Sequence, residues 1–145
     1  MMRLFLDANV LFTAAHNPDG KAALVVEIAR RHGHWEIVTS DLAIEEARRN
    51  LSNKFPAALS RLEQMLAAMH RVSPPPPHDC PVPVVEKDRP ILHAAIATRA
   101  SHLLTGDRRH FGPHMNRPEL TGGVTIQTVT QFLESLPDTG SNQPA

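Results

Sequence analysis

Residues 102–107 read HLLTGD, and the basic pair Arg108-Arg109 follows at once. Two leucines and a threonine form a short run that belongs in a core, yet the run ends on a carboxylate. The first residues repeat the pattern: RLFLDAN carries three large apolar side chains from Leu4 to Leu6 straight into Asp7. A short apolar run bounded by turn-forming residues reads as a buried strand. Both segments are therefore read as strands that end on an acid, with RLFLDANVLF a single short strand ending near Asp7.

Working outward, the remaining segments alternate. GKAALVVEIARRHG places Ala22, Val25, Val26 and Ala29 at helical spacing, with Gly33 as a stop. WEIVTS reads as a strand, after which Ser40 or Asp41 can cap a helix whose Ala43, Ala47 and Leu51 share one face. AALSRLEQMLAAMHRV, after Pro56, reads as one further amphipathic helix with Leu59, Leu62, Leu66 and Met69 as its stripe. VSPPPPHDCPVPVV is incompatible with a helix, because proline lacks the amide donor and extends its neighbours. DRPILHAAIATRASH is the next helix, with Ile91, Ala94, Ala95 and Thr98 along one side and Pro90 in its first turn. A polar loop to Leu120, a strand in GGVTIQTV and a helix in TVTQFLESL complete the order. Strands alternating with helices predict an α/β domain with a mainly parallel sheet and helices on both faces.

Size and composition bound the function classes. The 145 residues suit one domain, taken as 1–136 with a disordered tail at 137–145. Fifteen basic and fifteen acidic residues cancel, so no whole-molecule attraction draws the chain to nucleic acid. No apolar run reaches membrane-spanning length and the N-terminus lacks the apolar core of a secretory signal, which favours a cytoplasmic location and no membrane partner. The single cysteine, Cys80, excludes an internal disulfide and a cysteine-rich zinc site.

The acids carry the chemical argument. Functional groups of open parallel sheets gather at the carboxyl ends of strands, where Asp7 and Asp107 are expected. Asp88 opens the helix that leads back into the Asp107 strand, and Glu45 and Glu46 lie one turn into the helix after WEIVTS. Each alone has an ordinary reading: a strand-end aspartate caps the next helix, an acid suits a helix start, and Glu45-Glu46 can pair with Arg48 and Arg49. Together they converge on one rim, where several carboxylates need compensating cations. Oxygen-only donors favour Mg2+ or Mn2+, and a pair of such ions suits phosphodiester hydrolysis. The histidines are not assigned to metal: Gly112 and Pro113 separate His110 from His114, His32 and His34 flank a turn, and His93 lies off the acid face.

Read in order, LDANVLF, TSDLAIEEARRNL, KDRPILHAAIATRASHLLTGDRRHF and VTIQTVTQFL resemble the successive blocks of a PIN-domain ribonuclease, over nearly the whole chain to Leu136. The resemblance implies a three-layer α/β/α sandwich around a parallel sheet. It implies Mg2+- or Mn2+-dependent endoribonuclease activity leaving 5′-phosphate and 3′-hydroxyl ends, as in toxin components of bacterial toxin–antitoxin pairs. By position it assigns Asp7, Glu46 and Asp88 to the principal ion, with Glu45 the fallback for Glu46, and Asp107 to the second ion or its water. Asn9 and Thr105 match polar positions beside those acids. RNA is the implied substrate, with a small antitoxin protein and a second copy of the chain as candidate partners. Two other readings stay open: a PIN-like scaffold or RNA-binding module without activity, and a phosphoryl-handling α/β domain with Asp7 as phosphate acceptor. The second is weakened because the position two after Asp7 is Asn9 rather than an acid.

Overall fold

The computed structural model describes residues 2–31, 33–73 and 89–136. The proline-rich stretch from Pro74, with Cys80 and Asp88, and the tail expected to be disordered lie outside them. Five strands form one sheet: β1 (Met2–Leu6), β2 (Trp35–Ser40), β3 (His70–Val72), β4 (His102–Leu104) and β5 (Thr125–Gln127), in the order β3-β2-β1-β4-β5. Every neighbouring pair is parallel. Phe5 sits opposite Val38 on one side and Leu103 on the other, and Leu103 opposite Ile126, so large apolar residues run in a row across the sheet.

Seven α-helices accompany the strands among the described residues: α1 (Ala8–His16), α2 (Lys21–Arg31), α3 (Asp41–Lys54), α4 (Leu59–Leu66), α5 (Arg89–Ala97), α6 (Arg108–Phe111) and α7 (Val129–Ser135). Helices α1 to α4 pack on one another, while α5 packs against β4. Leu4, Phe5 and Leu6 are all fully buried although successive strand residues point to opposite faces, so both faces of β1 are covered. This is the doubly covered parallel α/β sandwich that the segment order predicts.

The structure departs from the sequence reading at three places. The strand in RLFLDANVLF ends at Leu6, beside Asp7 as expected, but the residues from Ala8 form a helix, α1, that the reading lacked. Val10, Leu11, Ala14 and Ala15 of that helix are buried, so its apolar side is wide enough to hide the helical period. The helix expected through Val72 ends at Leu66, and HRV forms the edge strand β3, paired to β2 through the backbone. The polar loop after Asp107 contains the short helix α6 and a 3-10 turn over Gly112–His114.

Terminators follow from the residues present. Ser40 accepts from the Ala43 amide and caps α3, and Thr128 and Gln131 make a reciprocal capping box on α7. Pro56 disfavours helical geometry at the residue before it, so α3 stops at Lys54 and Phe55 takes φ −142°, ψ 65°. Gly122 (φ 67°) and Gly123 (φ 89°) supply the left-handed turn before β5, and a side chain at Gly122 would also press on Ile96 of α5.

Candidate metal and nucleic-acid site

The connections from β1 and β4 leave in opposite directions, β1 toward β2 and β4 toward β5. A crevice opens beyond the carboxyl ends of the strands where the order reverses. Asp7 follows β1 and Asp107 follows β4 by three residues, so adjacent strands deliver both carboxylates to that crevice. The ladder continues past the strands: the Asp7 amide donates to the Leu104 carbonyl, and the Thr105 amide to the Gln127 carbonyl, each at 3.0 Å.

Asp7 is only 5% exposed. Its Oδ1 accepts from the Ala8 amide at 2.7 Å, which caps α1, and its Oδ2 accepts from the Thr105 hydroxyl at 2.8 Å. Asn9 Nδ2 lies 3.4 Å from Asp7 Oδ2 and 3.3 Å from Thr105 Oγ1, while Asn9 Oδ1 accepts from the Gly106 amide at 2.6 Å. The amide of Asp107 donates to Thr105 Oγ1 at 3.0 Å. Thr105 thus stands between the two acids, and Asn9 ties the α1 start to the turn after β4.

The capping role weighed for these acids is real, and both acids line the same cleft. Asp107 Oδ1 accepts from the His110 amide at 3.0 Å and so caps α6, while its Oδ2 lies 2.8 Å from His110 Nδ1. Pairing of His110 with Asp107 escaped the sequence reading because the intervening residues were read as loop. The spacing of three would have revealed it had α6 been recognised.

A cavity of about 960 Å³ receives these groups. Asp7, Asn9, Thr105 and Asp107 line it, as do both Glu45 and Glu46. Leu42, Glu45, Glu46, Arg49, Asn50 and Lys54 recur at steps of three and four, so one face of α3 forms a wall of the cleft. Glu45 reaches Arg49 at 3.6 Å and its side chain is 69% exposed. Glu46 forms no hydrogen bond or ion pair among the described residues and remains available. Cations also line the cleft: Lys21, Arg49 and Lys54. The lining thus sets these three cations beside four acids, Asp7, Glu45, Glu46 and Asp107, so the cleft is mixed in charge like the neutral chain as a whole.

Among the described residues no three histidine, cysteine, aspartate or glutamate side chains gather closely enough to hold a metal ion. Asp88, the remaining acid of the expected set, lies outside those residues. In donor chemistry the cleft fits a hard cation, since Asp7, Asp107 and Glu46 offer carboxylate oxygens. Also among the described residues, no helix is long and apolar enough to cross a membrane.

Comparison with known proteins agrees with this architecture. The VapBC2 structure from Rickettsia felis, bound to a DNA fragment from its promoter, superposes with a TM-score of 0.61 at 15% identity, covering 88% of this chain and 98% of that one. A PilT N-terminus domain protein from the hyperthermophilic archaeon Sulfolobus solfataricus P2 gives 0.52 at 15% identity, covering 92% of each chain. At that identity both likenesses show the fold alone. No curated protein matches the chain. A family model described as PIN domain matches residues 3–109, from the first strand through the second strand-end acid. With that match over most of its length, and the acids at the switch point of its sheet, the chain belongs to the PIN domain family.

Proposed function

We propose that this PIN-domain protein is an Mg2+- or Mn2+-dependent endoribonuclease, acting as the toxin of a toxin–antitoxin pair. The observation that supports the reading is the placement of Asp7 and Asp107 after adjacent parallel strands, lining one cleft with Glu46, with Thr105 bonded to the Asp7 carboxylate and the Asp107 amide. Asp7, Glu46 and Asp88 would hold the principal ion, and Asp107 a second ion or its water, with Glu45 in place of Glu46 should α3 rotate. Bound divalent ions supply a lowered water pKa and neutralisation of charge on the phosphodiester.

The protein's own groups do the positioning. Thr105 and Asn9 fix the Oδ2 of Asp7, so that carboxylate loses little conformational freedom on meeting a ligand. The Thr105 hydroxyl also holds the Asp107 amide, which sets the spacing of the two acids. Lys21, Arg49 and Lys54 supply positive charge for the RNA backbone along the same cleft. The position two after Asp7 is Asn9, which contacts Asp7 Oδ2 and accepts from the Gly106 amide, so that position offers no second acid for a phosphoryl-enzyme route. The toxin assignment draws on the likeness to a structure described as VapBC2 and on the family; a small antitoxin would be the partner.

The test is cleavage of mixed RNA with and without Mg2+. Wild type is expected to cut, and EDTA, Asp7→Asn and Asp88→Asn each to reduce the rate at least about a hundredfold, on the scale of losing an electrostatic catalytic contact. Cleavage that survives EDTA or both substitutions overturns the metal mechanism. A folded wild type that binds RNA without cutting it under any divalent ion identifies the scaffold reading instead.

A further inference from the structure

Past the acids the cleft reaches Phe12, whose ring belongs to a group of aromatic rings that hydrolysis does not require. Phe12 lines the cleft on the α1 side, its ring centre 4.7 Å from that of His16 at the end of the same helix. His16 stacks on Phe55 at 4.4 Å with planes 9° apart, and Phe55 lies 5.8 Å from Phe12. Lys54 Nζ sits 5.9 Å from the Phe12 ring centre and lines the cleft with it. Phe55 remains 45% exposed although His16 covers one of its faces. Pro56 is the cause of this placement, because it stops α3 and turns Phe55 back toward the end of α1.

From Glu46 to Lys54 the wall of α3 advances about 12 Å at the helical rise. Lys54, with Phe12 beneath it, therefore stands along the groove from Glu46, with Arg49 and Asn50 between them on α3, and Phe55 follows Lys54 directly in the chain. We propose that Phe55 and Phe12, braced by His16 and flanked by Lys54, form a stacking platform for an unpaired base of single-stranded RNA whose backbone runs on toward Asp7. This rests on the endoribonuclease reading and adds to it a particular place, outside the acids, where one base of the substrate is held. An aromatic face beside a cation is the combination that unstacked bases and their phosphates use, and it tolerates sequence because every base has a π-face. A cleft lined by carboxylates and, further along, by Phe12 and Lys54, with the exposed Phe55 packed on Phe12 beside it, matches a polyanion carrying flat apolar groups.

The test uses the full chain in EDTA, so that binding is read without cleavage. The probe is a short single-stranded RNA with 2-aminopurine placed at each position in turn, together with an abasic version of each. Wild type is expected to quench the fluorescence at one position. Phe55→Ala is expected to lose that quench and bind about tenfold more weakly, the scale of one stacked base, while Phe55→Trp restores both. Unchanged thermal unfolding of Phe55→Ala would separate a lost platform from a lost fold; if that variant unfolds early, the abasic RNA on wild-type protein makes the same measurement. Wild-type affinity for the abasic RNA, a quench that persists in Phe55→Ala, or no RNA binding by the wild type overturns the platform. RNA binding kept by Phe55→Ala would instead leave the rings to a protein partner. Adding Mg2+ separates the two readings: Asp7-dependent cleavage with wild-type behaviour of Phe55→Ala refutes the platform alone, and stacking without cleavage refutes the nuclease alone.

Discussion

The hydroxyl of Thr105 makes three contacts in a fully buried position, donating to Asp7 Oδ2 and facing the Asp107 amide and Asn9 Nδ2. Replacing it by valine keeps the shape but leaves a buried carboxylate oxygen and an amide short of a partner. Thr105→Val is expected to destabilise the protein by about 1–3 kcal/mol in denaturant unfolding, and Thr105→Ser by much less. Equal stability of the valine variant would show that water replaces the hydroxyl. His102 makes a second residue-scale prediction. Its ring meets Phe132 edge-on at 5.0 Å, and burial lowers its pKa below the ordinary 6.5. The unfolded chain then takes up the proton first, so this contribution is intact above pH 6.5 and is lost as pH falls through the lowered folded value. The stability difference between wild type and His102→Gln should shrink over that window; a difference constant with pH would refute the assignment.

At the scale of elements, the ends of helices are where local chemistry and context part company. Helix α5 closes with the Ala100 amide donating to the Ala95 carbonyl and the Arg99 amide to the Ile96 carbonyl, each at 3.0 Å. This is the Schellman pattern, and it places Arg99 at φ 58°, a conformation that favours glycine. Arg99→Gly is therefore expected to raise stability by about 1 kcal/mol, read as a higher unfolding midpoint. No gain would mean that the arginine side chain offsets the strain. In α3, Ser40→Ala removes a cap and should cost about 1 kcal/mol, whereas Leu51→Ala opens the fully buried core face and should cost about 2–5 kcal/mol. Reversal of that order would show that the cap outweighs the packing. Ser40 and the α3 stripe were legible because both signals are local. The α5 terminator was not, since no glycine marks it, and β3 was hidden because His70–Val72 continues an amphipathic sequence.

For the whole molecule, the sheet order places the ends of β1 and β4 side by side and turns α3 along one wall of the resulting cleft. A neutral chain with three cleft cations, one of them paired to Glu45, should bind RNA with a weak salt dependence. The slope of log affinity against log salt for a single strand is expected to be no steeper than about −2. A much steeper slope would mean that basic residues outside this cleft hold the RNA.

Sequence alone determined the alternation of strands and helices, and with it a parallel α/β sheet, because apolar period, caps and breakers act over a few residues. It also marked Asp7 and Asp107 as strand-end acids, since a buried run that stops on a charge is visible in one dimension. The family resemblance set Thr105 and Asn9 beside those acids, but only the tertiary structure decided which atoms they bond, that His110 pairs with Asp107, and that Phe12, His16 and Phe55 meet. Those contacts depend on strand order, helix ends and crossing of α1 with α3, which are set by packing between segments far apart in the chain and leave no local trace.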